Sequence, residues 1–490
     1  MDHAMTRPNV LWICTDQQRW DTIRALGATA AQTPNLDRLV AEGTAFTRAY
    51  CQSPICTPSR ASFLTGMYPI AHQVQRNGNI GFPDHLTLLP QVFRDAGYRT
   101  GLIGKLHLSA ARCRIEKRPA ADGYEEFYWS QHPGSEWPEG HDYADWLAER
   151  GIDAAVFEGK REPVSHPVKA EHSQVAWATD RASDFIRRGT DGRPWMLSIN
   201  VYDPHPPFDP PESWYRRFDP ADMPPPVFAP GDLALHARLS GVDQQTRNPR
   251  DPMAPPEDKA LANGSHDTPP DRYDIREIRA AYHAMIAMID EMVGRLVATL
   301  EQTGQRRDTL VIFMSDHGEM LGDHGLLYKG CRFYDGLVRV PLILSQPGRV
   351  AEGLHSDALV ELVDLPATLY DAAGLPAPAQ DQGLSLWPIA AGGADPGRHK
   401  DRVLSEYYDA LRFPGSVGSR GTMYFDGRYK LAVYHDAGQG ELYDTAEDPE
   451  ELHDLWNDPA RAELKAELIA RHFTAMMLVS GAGPVRVADY

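Results

Sequence analysis

Two stretches of the chain are apolar without interruption, and each ends in an acid. Asn9-Val10-Leu11-Trp12-Ile13-Cys14-Thr15 runs into Asp16-Gln17, and Thr309-Leu310-Val311-Ile312-Phe313-Met314-Ser315 runs into Asp316-His317. Runs of this length between polar residues are the pattern of strands buried on both faces of a parallel sheet. Thr100 to His107, Trp195 to Tyr202 and Val340 to Leu344 predict further strands; the first delivers Lys105 and His107, and the exit of the second carries His205. Between them the period turns helical over Thr33–Gly43, Leu86–Tyr98, Gln174–Arg188, Arg276–Gln305 and Leu362–Gly374. In the longest of these, Ile286, Ile289, Val293, Leu296 and Leu300 trace one buried stripe. The alternation predicts an α/β protein with a large mixed, mainly parallel sheet flanked by helices. Ligands of such sheets lie outside the carboxyl ends of the strands, so Asp16, Lys105, His205 and Asp316 are expected to converge.

From about residue 399 the texture changes to short alternating strands with turns, Asp426-Gly427 being a hairpin mark. A catalytic unit over 1–398 and a small antiparallel α+β domain over 399–490 are expected, the latter closed by a helix over Arg461–Met477 and a tail from Ser480 to Tyr490. Residues from about 110 to 170 and from about 206 to 272 show no dominant period. They read as excursions at the site mouth that cover substrate or touch another subunit, leaving a homo-oligomer open.

A net charge of −19 excludes a nucleic-acid backbone as the expected partner. Five cysteines, at 14, 51, 56, 113 and 331, have no paired spacing, which argues against a disulfide framework and for a reducing cytoplasm. Met1 to Pro8 has no apolar leader, and no apolar run approaches the roughly 20 residues that span a bilayer, so no membrane role is expected. No G-x-G-x-x-G follows the first strand, so a dinucleotide reading has no support.

The chemistry centres on Pro54-Ile55-Cys56-Thr57-Pro58-Ser59-Arg60-Ala61-Ser62-Phe63-Leu64-Thr65-Gly66. Pro58 suits a first helical position and Gly66 a stop, which puts Cys56 just before a helix N-terminus, where free N–H groups, the helix dipole and Arg60 favour an anion. Alone, Cys56 reads as one more small buried residue. Two acids at the ends of core strands, each followed by a polar ligand, suggest a divalent metal at Asp16, Gln17, Asp316 and His317, although either acid alone would read as a helix cap.

The string C-T-P-S-R-A-S-F-L-T-G resembles the motif of type I sulfatases, in the alkaline phosphatase superfamily, as do T-P-N-L-D-R-L, G-K-L-H, D-H-G-E and R-V-P-L-I. The resemblance implies an alkaline phosphatase-like fold and oxidation of Cys56 to formylglycine by a formylglycine-generating enzyme. The hydrated aldehyde would then attack sulfur and form a covalent sulfo-enzyme intermediate. It assigns Asp16, Gln17, Asp316 and His317, with the residue-56 oxygen, to the metal. Arg60 would hold and activate the nucleophile, and Lys105, Lys329 and Asn77 would bind the sulfate oxygens. His205 would protonate the leaving alcohol or contact the sulfate, and His107 would take a proton from the second hydroxyl; the two roles are exchangeable. His72, His283 and His324 read as structural.

Sulfatases commonly have Asp in place of Gln17 and Asn in place of His317, and an imidazole broadens the metal from calcium toward manganese. Both departures resemble phosphonate monoester hydrolases and promiscuous arylsulfatases. The expectation is a formylglycine sulfatase acting on aryl or small alkyl sulfate esters. The alternatives are a phosphonate monoester or phosphodiester hydrolase with promiscuous sulfatase activity and, from another class, a catalytically silent binding protein.

Overall fold

A computed structural model describes residues 7–110, 118–131, 140–157, 163–189, 192–242, 250–254, 273–411 and 418–481. Cys113, most of the expected tail and much of the segment before residue 273 lie outside the described residues.

Eight strands make one sheet in the order Leu354–Ser356, Thr44–Phe46, Leu342–Ser345, Thr309–Ser315, Asn9–Thr15, Trp195–Asn200, Arg99–Gly104, Glu126–Trp129. Leu342–Ser345 runs antiparallel to both neighbours, and the other pairings are parallel. The two apolar runs lie side by side in the middle, Thr15 opposite Ser315, so Asp16 and Asp316 leave the sheet at one level. Alternate residues of the first strand feed opposite core layers, Val10, Trp12 and Cys14 on one side and Leu11 and Ile13 on the other. The helices Gln174–Arg187 and Ile275–Gln302 cover the Leu11 side, with Ile289, Val293, Leu296 and Leu300 of the expected stripe in that layer. Ile286 packs instead in a smaller cluster with Phe208 and Tyr328. On the opposite side lies the helix Cys56–Thr65, whose Phe63 ring sits 5.4 Å from that of Trp12.

The chain after 399 forms a four-stranded antiparallel meander, Val403–Tyr408, Arg420–Phe425, Tyr429–Tyr434 and Gln439–Asp444. The helix Ala462–Val479 buries Leu468 and Ala475 against Leu431 and Leu442 on one face of that meander. Its other face, through Val403, Tyr407, Met423 and Phe425, joins the core layer of the large sheet.

Three expected elements are redrawn. The strand expected over Val340–Leu344 is broken at Pro341, which lacks an N–H for a central ladder: Arg339–Val340 joins a three-stranded sheet and Leu342–Ser345 the large one. The helix expected over Leu86–Tyr98 is confined to Leu89–Asp95, with Pro90 in its first turn. The helix expected to open at Pro58 opens at Cys56.

Candidate active site

Four strand ends, one helix and the loop that carries Lys329 build the site. Asp16 and Gln17 follow the first strand, Asp316 and His317 the Thr309–Ser315 strand, Lys105 and His107 the Arg99–Gly104 strand, and His205 the Trp195–Asn200 strand. Lys105 is placed by its N–H on the Asn200 carbonyl at 2.9 Å and by Asn200 Nδ2 on its own carbonyl at 2.8 Å. Cys56 reaches the centre from the first turn of its helix, where the N-cap residue Ile55 offers no side-chain acceptor and the Thr57 N–H donates to Asn77 Oδ1 at 3.1 Å. Cys56, Asp16, Gln17, Arg60, Asp316, His317 and Lys329 have no solvent exposure, and Lys105 is 2 % exposed.

Buried charge on this scale holds only if it is paired. Arg60 clamps both acids: Nε and Nη2 lie 3.0 and 2.9 Å from Asp316 Oδ2, Nη2 lies 3.1 Å from Asp16 Oδ2, and Nη1 donates to the Lys105 carbonyl at 3.0 Å. The guanidinium therefore orients the carboxylates around Cys56. Lys105 Nζ adds a 2.5 Å bond to Asp16 Oδ2. Asp316 Oδ1 accepts from the backbone N–H of Gln17 and His317 at 3.0 and 2.9 Å.

Around residue 56 the field is positive. Burial and the neighbouring Cys56 sulfur push the Asp16 carboxyl up, but Lys105, His205 and Arg60 outweigh them and hold it below its ordinary range. Burial likewise raises the Cys56 thiol, and Lys105, Lys329, His317 and a hydrogen bond with His107 outweigh it, holding the thiol well below its ordinary value. Lys329 Nζ lies 3.0 Å from Cys56 Sγ, 2.9 Å from Gln17 Oε1 and 2.7 Å from His205 Nε2. Since His205 Nδ1 donates to the Pro206 carbonyl at 2.6 Å, its Nε2 is the acceptor toward Lys329, and burial together with Lys329 lowers the imidazole to about 3. The proton of this pair therefore resides on Lys329.

Donor atoms of Asp16, Cys56, Asp316 and His317 all lie within 4.8 Å of one another. His317 donates from Nδ1 to the Gly318 carbonyl at 2.9 Å, which leaves Nε2 facing Cys56 Sγ at 3.2 Å. His317, its Nδ1 fixed on a carbonyl so that Nε2 faces inward, and two convergent carboxylates make a donor set that fits a divalent cation. Gln17 stands at a positive φ of 70°, its carbonyl accepting from the Tyr282 hydroxyl at 2.6 Å. His107, at φ 57°, is half-buried, more open than Asp16, Asp316, His317, Lys105, Lys329 and His205.

A sulfatase family model matches residues 8–375, across all of these positions. The chain belongs to the sulfatase family. A second model, the C-terminal region of N-sulphoglucosamine sulphohydrolase, matches residues 322–476. The chain is 29% identical to an arylsulfatase of Clostridium perfringens over 92% of its own length and 90% of the relative's. It is 31% identical to the multifunctional alkaline phosphatase superfamily protein PehA of Trinickia caryophylli, covering 94% and 93%. Among solved structures, the phosphonate monoester hydrolase of Agrobacterium radiobacter superposes with a TM-score of 0.80 at 27% identity, covering 96% of both chains. Among the described residues no helix is long and apolar enough to cross a membrane.

Sequence reasoning gives Glu319 no role, although it stands in D-H-G-E. It is fully buried, accepts from Gln17 Nε2 and from the N–H groups of Leu321 and Tyr328, and burial raises its carboxyl. Ser59 likewise has no role assigned from the sequence; its Oγ donates to the Asp316 carbonyl at 2.5 Å. The sign that points to Glu319 is an acid next to Met320-Leu321, where a solvated carboxylate has no place.

Proposed function

We propose that this sulfatase-family hydrolase cleaves aryl or small alkyl sulfate esters, with formylglycine formed from Cys56 and one divalent metal. The carrying observation is that Lys105 and Lys329 converge from different elements on the environment of Cys56, with His107 and His205 beside them. That is the arrangement needed to gather the negative charge of a tetrahedral anion.

Asp16, Gln17, Asp316 and His317 would hold the metal, which when bound supplies Lewis-acid polarisation of the reacting oxygens, calcium or manganese being the candidates. The hydrated aldehyde at residue 56 would supply the nucleophilic oxygen. Arg60 keeps the two carboxylates in register around it. Lys105 and Lys329 neutralise the non-bridging oxygens as they gain charge, and the proton shared by Lys329 and His205 is the one available to the leaving alcohol. His107, more open than His205, takes the proton of the second hydroxyl.

The test is turnover of an aryl sulfate by protein made with a formylglycine-generating enzyme, read beside the mass of the peptide carrying residue 56. The expected result is an aldehyde at residue 56 in active protein, and a Cys56→Ala chain that melts like the wild type and releases no sulfate. Full activity in Cys56→Ala overturns the reading.

A second reading, hydrolysis of phosphonate monoesters or phosphodiesters, is favoured by Gln17 and His317 and by the likeness to the Agrobacterium enzyme. It shares the nucleophile and differs in which anion the lysines fit.

A further inference from the structure

We propose that Glu319 is a positioning residue that decides which end of the Gln17 amide faces the centre, so that residues 17 and 319 act as one unit. The inference rests on the metal-dependent reading above.

Gln17 Nε2 donates to Glu319 Oε2, and Gln17 Oε1 accepts from Lys329 Nζ at 2.9 Å. A carboxylate only accepts and an ammonium only donates, so this amide has one satisfied orientation, oxygen inward. Glu319 is itself fixed, since its Oε1 accepts from the N–H groups of Leu321, at 3.1 Å, and Tyr328. The Gln17 backbone is fixed as well, its N–H on Asp316 Oδ1 at 3.0 Å and its carbonyl on the Tyr282 hydroxyl at 2.6 Å. Only the side-chain amide could turn, and a turned amide would present an NH₂ where an oxygen ligand is needed.

The test is calorimetric titration of Mn²⁺ into the metal-stripped full-length protein and into Glu319→Gln, Gln17→Glu and the double variant. In Glu319→Gln one amide oxygen must serve both Gln17 Nε2 and two backbone N–H groups, so Gln17 is released and the Mn²⁺ Kd is expected to weaken roughly 10- to 100-fold. In the double variant the carboxylate at position 17 accepts from the amide NH₂ at position 319, and the oxygen of that amide keeps both backbone N–H groups, so every bond is restored in reverse. It is expected to bind Mn²⁺ more tightly than either single variant. Wild-type affinity in Glu319→Gln overturns the proposal, as does Gln17→Glu binding as tightly as the double. If Glu319→Gln does not fold, the readout is the yield of folded protein: recovery in the double variant supports the pairing, and no recovery overturns it. Mn²⁺ binding with this pattern in a protein that hydrolyses neither ester would contradict the proposed function and leave the pairing standing.

Discussion

Around Cys56 each charged side chain is placed by a specific partner, and that placement sets what a substitution costs. Lys105 is buried against Asp16, so Lys105→Met removes one of the two cations on that carboxylate. Breaking a buried pair costs about 3–5 kcal/mol, and the low end is expected because Arg60 still holds Asp16. The same variant loses a cation proposed to face the substrate anion, worth roughly 100- to 1,000-fold in kcat. Denaturant melts and initial rates check both; wild-type stability with lost activity would mean that Asp16 does not depend on Lys105. At this scale much is legible in the sequence, because Asp16 and Asp316 end uninterrupted apolar runs and Cys56, Lys105 and Lys329 stand in recognisable strings. The pairing of Glu319 with Gln17 is not legible: it depends on the loop after His317 folding back, so that two residues 302 positions apart meet inside the protein.

Elements place these side chains through backbone approaches that tolerate little change. Gly104 ends its strand at φ 108°, and a Cβ there would lie 2.0 Å from the Asn200 carbonyl oxygen, the same carbonyl that holds the Lys105 N–H. Gly104→Ala therefore meets both a left-handed backbone and a backbone clash. It is expected to cost about 2 kcal/mol or more and to lower kcat by displacing Lys105. Unchanged denaturation and unchanged rates would show that the strand end relaxes freely. Strand and helix types are readable from periodicity, whereas several boundaries are not. Pro341, without an N–H, divides what reads as one strand, but nothing local to Val340–Leu344 tells that its two halves pair in different sheets. The helix at Cys56 opens two residues earlier than Pro58 suggests, with the Asn77 side chain, distant in sequence, serving its first turn.

For the whole molecule, the C-terminal meander is bound to the rest of the chain by polar as well as apolar contacts. Glu406, on the first strand of the meander, is fully buried and accepts from the Ile70 N–H at 3.0 Å. Burial raises its carboxyl to about 8. An acid whose folded value is raised holds a proton that the unfolded chain has released. Its contribution is present at low pH and is lost as pH rises from about 4.5 toward 8. Glu406→Gln, neutral at every pH, should therefore gain in Tm relative to wild type across that window and level off above it. Parallel Tm profiles would show that Glu406 ionises normally. The α/β class, the central strand pair and the antiparallel C-terminal sheet are all readable from the change of period along the chain. The substrate is harder to read, since Lys105 and His107 resemble one branch of the family and Gln17 and His317 another. The deciding measurement is kcat/KM for an aryl sulfate against a phosphonate monoester with the same leaving group, on protein carrying formylglycine at residue 56. A large preference for the sulfate is predicted from the sulfate-binding role proposed for Lys105 and Lys329; a preference for the phosphonate would contradict the sulfate assignment and make Gln17 and His317 the better guide.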